Sequence, residues 1–283
     1  MNSFEEFYNI YKTASKKNEH TYNDFLKRKT KVSDDKISPI KNNRCLIVIP
    51  AYNNRISDFE TRNFKNNVEK LYKDFDICIV CPTHLKKDIY NNIIPEANIQ
   101  YLHLPSRNFS GKNSYSDMML SPQFYENFKQ WKYILILQLD AYIFGTANEL
   151  NHFIDLGKTY IGAPWTLDYS RRLGIPEETC GNGGLSLRNV ERMISLLKLK
   201  DTKRNERLKT VEDQYISYML YNLKESTDIE TALNFSIDND TEYWHRRLGK
   251  LPWGIHMGKQ EFVDYWNIVT NMNFLSKSNI SNK

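Results

Sequence analysis

Apolar residues gather in four short runs over the first half of the chain, at residues 45–49, 77–81, 99–104 and 133–139. Each run closes on a turn former: Pro50, Pro82, Pro105 and Asp140. Between them, residues 56–73, 84–94 and 114–130 are helical candidates. Strand, helix, strand in alternation, with strands apolar throughout, predicts an α/β fold built on a mostly parallel sheet covered on both faces. In such sheets ligands bind beyond the carboxyl ends of the strands, so the residues just after each run are the first places to look for chemistry.

The second half is less regular. Residues 160–165 (YIGAPW) and 180–188 (CGNGGLSLR) combine glycine with bulky side chains, and residues 253–258 (WGIHMG) form an aromatic and glycine cluster. Helices are predicted over residues 190–199 and 211–223, with a charged loop at 200–209 between them. At the N-terminus, Phe4, Phe7, Tyr8 and Tyr11 stand at spacings of three and four, which predicts an amphipathic helix over residues 4–17 ahead of a Lys-rich stretch at 23–44. The chain thus divides into a helical, basic extension (1–44), a main domain (45–262) and a tail (263–283) that is polar from Ser276.

The charge is unevenly placed. Of the formal +5, residues 1–44 hold 10 basic and 6 acidic side chains, against 29 and 28 in the remainder. The near-neutral main domain argues against a nucleic-acid face, which needs basic residues gathered along one surface. The local excess in residues 1–44 has two readings, a helical appendage packed on the main domain or a peripheral contact with an anionic membrane surface. No apolar run approaches the roughly 20 residues that span a bilayer. Nor does a basic segment followed by an apolar stretch open the sequence, so the expected location is cytoplasmic. Cys78 and Cys81 form a C-x-x-C inside an apolar strand, where residues three apart point to opposite faces; a structural role is expected.

Candidate chemistry sits where the strands end. Asp140 follows the most apolar strand, with Gln138 two residues earlier on the same face; it is either a turn residue or a carboxylate placed to hold a divalent ion on a nucleotide diphosphate. Glu212 and Asp213 open a helix after Thr210, either to complement the helix dipole, with Thr210 and Asp213 resembling a capping box, or to face a sugar hydroxyl. His256 is a structural imidazole or a ligand suited to Mn²⁺ more than to Mg²⁺. The run Asn182, Gly183, Gly184 is a turn or a substrate-facing loop. Arg107 and Lys112 are solvated or pair with phosphate, and Trp165 is a core residue or a platform for a sugar ring.

In order, these segments resemble the GT-A-fold glycosyltransferases. They are similar in particular to a bacterial family of GT-A-like proteins in which Q-x-D-A is followed by Y-I-G-A-P-W, G-N-G-G-x-S-L-R, an E-D pair opening a helix and a late G-x-H. Here these stand at residues 138–141, 160–165, 181–188, Glu212 with Asp213, and Gly254 with His256, and the resemblance covers roughly residues 45–260. It implies that Pro50, Ala51, Tyr52 and Asn53 hold the nucleotide. Asp140 matches the second Asp of the fold's D-x-D metal motif, while Gln138 occupies the position of the first and removes one carboxylate. His256 matches the late metal ligand, and Asp213, beside Glu212, matches the general base of inverting members. The resemblance further implies a divalent cofactor, for which an imidazole ligand favours Mn²⁺ over Mg²⁺, a nucleotide-sugar donor such as a UDP-hexose, and a surface-glycan acceptor; the basic excess of residues 1–44 would suit a glycan or lipid-linked glycan acceptor at the inner face of a membrane. Two other classes stand beside it. A sugar nucleotidyltransferase normally carries a Gly-rich basic loop after its first strand, which residues 51–55 (AYNNR) lack, and a catalytically silent glycan-binding protein would leave Asp140 and His256 idle.

Overall fold

The computed structural model describes residues 36–199 and 211–271. The expected helix at 4–17, the charged loop at 200–209, Thr210 of the expected capping box and the polar end from Ser276 lie outside the described residues. In chain order the elements are β1 (Cys45–Pro50), α1 (Asp58–Leu71), β2 (Asp76–Pro82), α2 (Asp88–Asn91), β3 (Ile99–Leu104), a 3₁₀ turn (Ser106–Phe109), α3 (Lys112–Met119), α4 (Pro122–Glu126), β4 (Tyr133–Leu137), β5 (Ala141–Ile143), α5 (Ala147–Asp155) and β6 (Tyr160–Ile161). There follow β7 (Pro164–Trp165), α6 (Leu167–Arg172), β8 (Thr179–Cys180), β9 (Leu185–Asn189), α7 (Val190–Lys198), α8 (Glu212–Asn222), α9 (Ile229–Phe235), β10 (Ser236–Ile237), α10 (Thr241–Leu248), β11 (Gly254–His256) and α11 (Gln260–Thr270).

The central sheet has the order β3-β2-β1-β4-β9-β6. Strands β1 to β4 are mutually parallel, and β9 runs against both its neighbours. Alternation along the strands feeds two cores. Ile47, Ile49, Ile77, Ile79 and Cys81 face one side with Phe64, Val68 and Leu71 of α1, whereas Leu46, Val48, Cys78 and Val80 face the other with residues of α3, α4, α7 and α8. Cys78 and Cys81 therefore lie on opposite faces, as a strand requires.

The expected helix over 114–130 is two short helices. Ser121 is extended (φ −85°, ψ 123°) because Pro122 disfavours a helical residue before it, and the proline then opens α4 from its first turn. Both domain limits also move outward. Ile37 is buried in the core, and the backbone amides of Ile40 and Lys41 donate to the Asp76 carboxylate. At the other end α11 runs past residue 262 to Thr270 and buries Val263 and Trp266, because its apolar positions recur on one face against Tyr142 and Trp244.

Candidate functional site

Three strand ends meet at one edge of the sheet. After β4 the chain turns, with the Ala141 amide donating to the Gln138 carbonyl, and enters β5, which pairs antiparallel with β11 so that Ala141 opposes His256. The Met257 amide donates to the Asp140 carbonyl, and the Gln138 amide donates to the Gly184 carbonyl ahead of β9. The sheet order reverses between β1 and β4, where a crevice opens in sheets of this kind. Gln138, Asp140, Gly184 and His256, scattered over 119 positions of the sequence, are thus brought together by strand register.

His256 is the hub. Its Nε2 lies 3.0 Å from Asp140 Oδ1 and 3.2 Å from Gln138 Oε1, and its Nδ1 lies 3.1 Å from Asp238 Oδ2. Burial opposes charge on the ring, but the carboxylates of Asp140 and Asp238 outweigh it and hold the imidazole pKa well above its ordinary value. Gly184 makes room for this ring, because a Cβ there would stand 2.4 Å from Nε2. Among the described residues no group of three His, Cys, Asp or Glu side chains is arranged to hold an ion. A cation here would take Asp140, His256 and the neutral oxygen of Gln138 from the protein and the rest from phosphate oxygens and water, as small divalent ions do. The protein offers there one carboxylate, one imidazole and one neutral oxygen, too few for a closed structural site. The buried hydroxyl of Tyr115 lies beside Gln138.

A second group backs onto the first through Gly183. The side chain of Arg188 is wholly buried, and its guanidinium donates to Tyr125 Oη (2.8 Å), Ser186 Oγ (2.9 Å), the Gly183 carbonyl (3.3 Å) and Glu212 Oε1 (3.4 Å). Glu212, itself 4% exposed, is therefore placed as the counter-ion of a buried cation. Gly183 is crowded by the same pair, since a Cβ there would stand 2.6 Å from Glu212 Oε1. Asp213 is partly exposed and accepts the amides of Gly183 (3.2 Å) and Gln214 (2.7 Å). Burial, and after it the Glu212 charge, push the Asp213 carboxyl up to about 8 against the pull of those amides.

The remaining expected residues separate. Pro50 and Ala51 are buried at the end of β1, and Tyr52 and Asn53 are exposed beyond it. Tyr52 packs near Phe109 and Tyr115, which puts it at the same edge. Asn182 braces the loop by accepting the Gly184 amide. Arg107 and Lys112 are exposed beyond β3. Trp165 is 2% exposed with its ring against Tyr169, 4.9 Å between centroids, so it packs the core and leaves no open face for a sugar. Asp238, Tyr115 and the partners of Arg188 escaped the sequence reading. For Asp238 a signal existed: it is an acidic residue just after the short segment Phe235, Ser236, Ile237, as Asp140 follows the apolar run at 133–139. A groove of about 540 Å³ between α5, α9 and residues 250–253 contains none of these residues.

The fold has known counterparts. The bifunctional glycosyltransferase WbbM in its apo form aligns over 83% of this chain with a TM-score of 0.53 and 11% identity, and this chain spans 52% of its length. The galactosyltransferase LgtC, in complex with donor and acceptor sugar analogues, aligns over 82% of this chain and 98% of its own with a TM-score of 0.51 and 14% identity. At such identities the likeness is one of fold, the GT-A-type arrangement of a mostly parallel sheet between helices. No protein of curated function matches the sequence. A family model does match, over residues 98–256, a span that takes in Gln138, Asp140, the loop at 180–188, Glu212, Asp213 and His256. By that match the chain belongs to the DUF5672 family, described as proteins of unknown function.

Proposed function

We propose that the chain is a metal-dependent glycosyltransferase that moves a sugar from a nucleotide donor, a UDP-hexose in the first instance, to a surface-glycan acceptor. One observation carries the reading. Gly184 abuts the imidazole of His256 while its neighbour Gly183 donates to the carboxylate of Asp213, which supports a reading in which the residues proposed for the diphosphate and for the acceptor hydroxyl work side by side. The fold likeness to a galactosyltransferase seen with donor and acceptor sugar analogues agrees with this pairing of ligands.

The chemistry follows from the residues. A divalent cation held by Asp140, His256 and Gln138 would supply positive charge for the departing nucleoside diphosphate. Tyr52 and the β1 turn would line the nucleotide end. Asp213 would take the proton of the acceptor hydroxyl as that oxygen attacks the anomeric carbon, a task for which a carboxyl near 8 is a better base than an ordinary one. In a retaining course the same carboxylate would orient the hydroxyl. Arg188 and Glu212 would hold Gly183 so that its amide meets Asp213.

Release of nucleoside diphosphate from a panel of nucleotide sugars, with Mn²⁺ and with chelator, tests the proposal. Turnover of at least one donor, lost with chelator and in Asp140→Asn, is the expected outcome. No release from any donor with suitable acceptors would remove the reading. Binding of glycans without uptake of a nucleotide would favour the silent binding protein.

A further inference from the structure

The carboxylate of Asp238 is 4% exposed and lies against His256 on the side away from Asp140. Strand register puts it there: β10 and β11 pair in parallel with Ile237 opposite Ile255, so the residues that follow, Asp238 and His256, emerge side by side. The loop beyond is pinned by Thr241, whose hydroxyl donates to the Asp238 carbonyl. A buried carboxylate is costly unless it is paired and hydrogen-bonded, and Oδ2 meets that need at Nδ1, 3.1 Å away.

The two ring nitrogens point apart. Nε2 faces Asp140 and Gln138, and Nδ1 faces Asp238. A cation at Nε2 is therefore beyond direct reach of Asp238, which does not make good the carboxylate that Gln138 lacks. What Asp238 can do is accept the Nδ1–H, which leaves Nε2 as the nitrogen that can give up its proton to a cation beside Asp140. A His that binds metal through one nitrogen commonly donates its other N–H to such a carboxylate, and loss of that partner typically costs 10- to 100-fold in metal affinity. On the opposite side the ring is confined by Gly184, where any Cβ would collide with it.

We infer that Asp238 is a positioning residue: it fixes the tautomer and orientation in which His256 presents Nε2 to a divalent cation shared with Asp140. The inference rests on the reading of Asp140 and His256 as cation ligands, and its test separates the two. The experiment titrates Mn²⁺ into the full chain in the presence of UDP, following the free ion by electron paramagnetic resonance, alongside a thermal melt of each variant. Asp238→Ala should weaken Mn²⁺ binding by about 10- to 100-fold. Asp238→Asn, which keeps an acceptor oxygen without the charge, should fall between Asp238→Ala and the natural chain. Should the alanine variant fail to fold, Asp238→Ser takes its place. An affinity within threefold of the natural chain in the folded alanine or serine variant would overturn the role of Asp238, whatever its melt. Absence of Mn²⁺ uptake by the natural chain would overturn the ligand reading itself, and the inference with it.

Discussion

Glu212→Ala removes the carboxylate that faces the buried guanidinium of Arg188. Arginine stays charged in proteins, so the cation remains behind with no counter-ion. Breaking one side of a buried pair typically costs about 3 to 5 kcal/mol. Here the Nη2 to Oε1 separation is long at 3.4 Å, and the guanidinium keeps its bonds to Tyr125, Ser186 and the Gly183 carbonyl, so the lower end, about 3 kcal/mol, applies. At about 2 to 4 °C per kcal/mol for a domain of this size, the melt should fall by roughly 6 to 12 °C. Glu212→Gln keeps an acceptor for Arg188 and should lose about half as much. Replacing both partners with Met should cost less than Glu212→Ala alone, because no charge is then stranded. The assay is urea and thermal unfolding of each variant, with donor turnover measured well below the midpoint, where Glu212→Gln should stay within about tenfold of the natural chain. A Glu212→Gln protein that melts normally but loses turnover by several hundredfold would refute the reasoning and return Glu212 to the reacting groups.

Other outcomes follow from the same geometry. Turnover should rise with pH as Asp213 ionises near 8, and Asp213→Asn should remove that limb. The sign for stability is opposite: the folded chain keeps a proton on Asp213 that the unfolded chain releases above its ordinary value of 3.8, so this contribution is complete below that value and is lost as pH rises through about 8. Urea midpoints should fall across that window more steeply in the natural chain than in Asp213→Asn. Gly184→Ala should drive a methyl into the His256 ring, costing about 1 to 3 kcal/mol by unfolding assays and weakening Mn²⁺ uptake. Deleting residues 1–35, which stops short of the buried Ile37, should leave donor turnover intact and reduce binding to anionic vesicles; unchanged vesicle binding would leave the local charge as a solvated face.

The parallel half of the sheet was legible because strands buried on both faces must be apolar throughout, and each closes on Pro or Asp. The break at Pro122 was legible too, had the residue before proline been weighed against the helical spacing. Strand β9 was harder to read, since glycine masks its start and its turn-rich surroundings look irregular. Asp140 and His256 drew attention in the sequence because each follows an apolar or aromatic segment, and strand register brings the two together. The pairing of Glu212 was not legible, because the charge that faces it belongs to Arg188, 24 positions earlier and wholly buried. Asp238 depends on the pairing of two strands of two and three residues, too short to announce their register.

The most direct test of the account is calorimetry of UDP binding with Mn²⁺, for the natural chain and for Asp140→Asn. The account predicts binding that requires Mn²⁺, disappears with chelator, and is lost or greatly weakened in Asp140→Asn while the thermal melt stays close to that of the natural chain. Nucleotide binding that is indifferent to chelator and to Asp140→Asn, or no nucleotide binding at all, would contradict it.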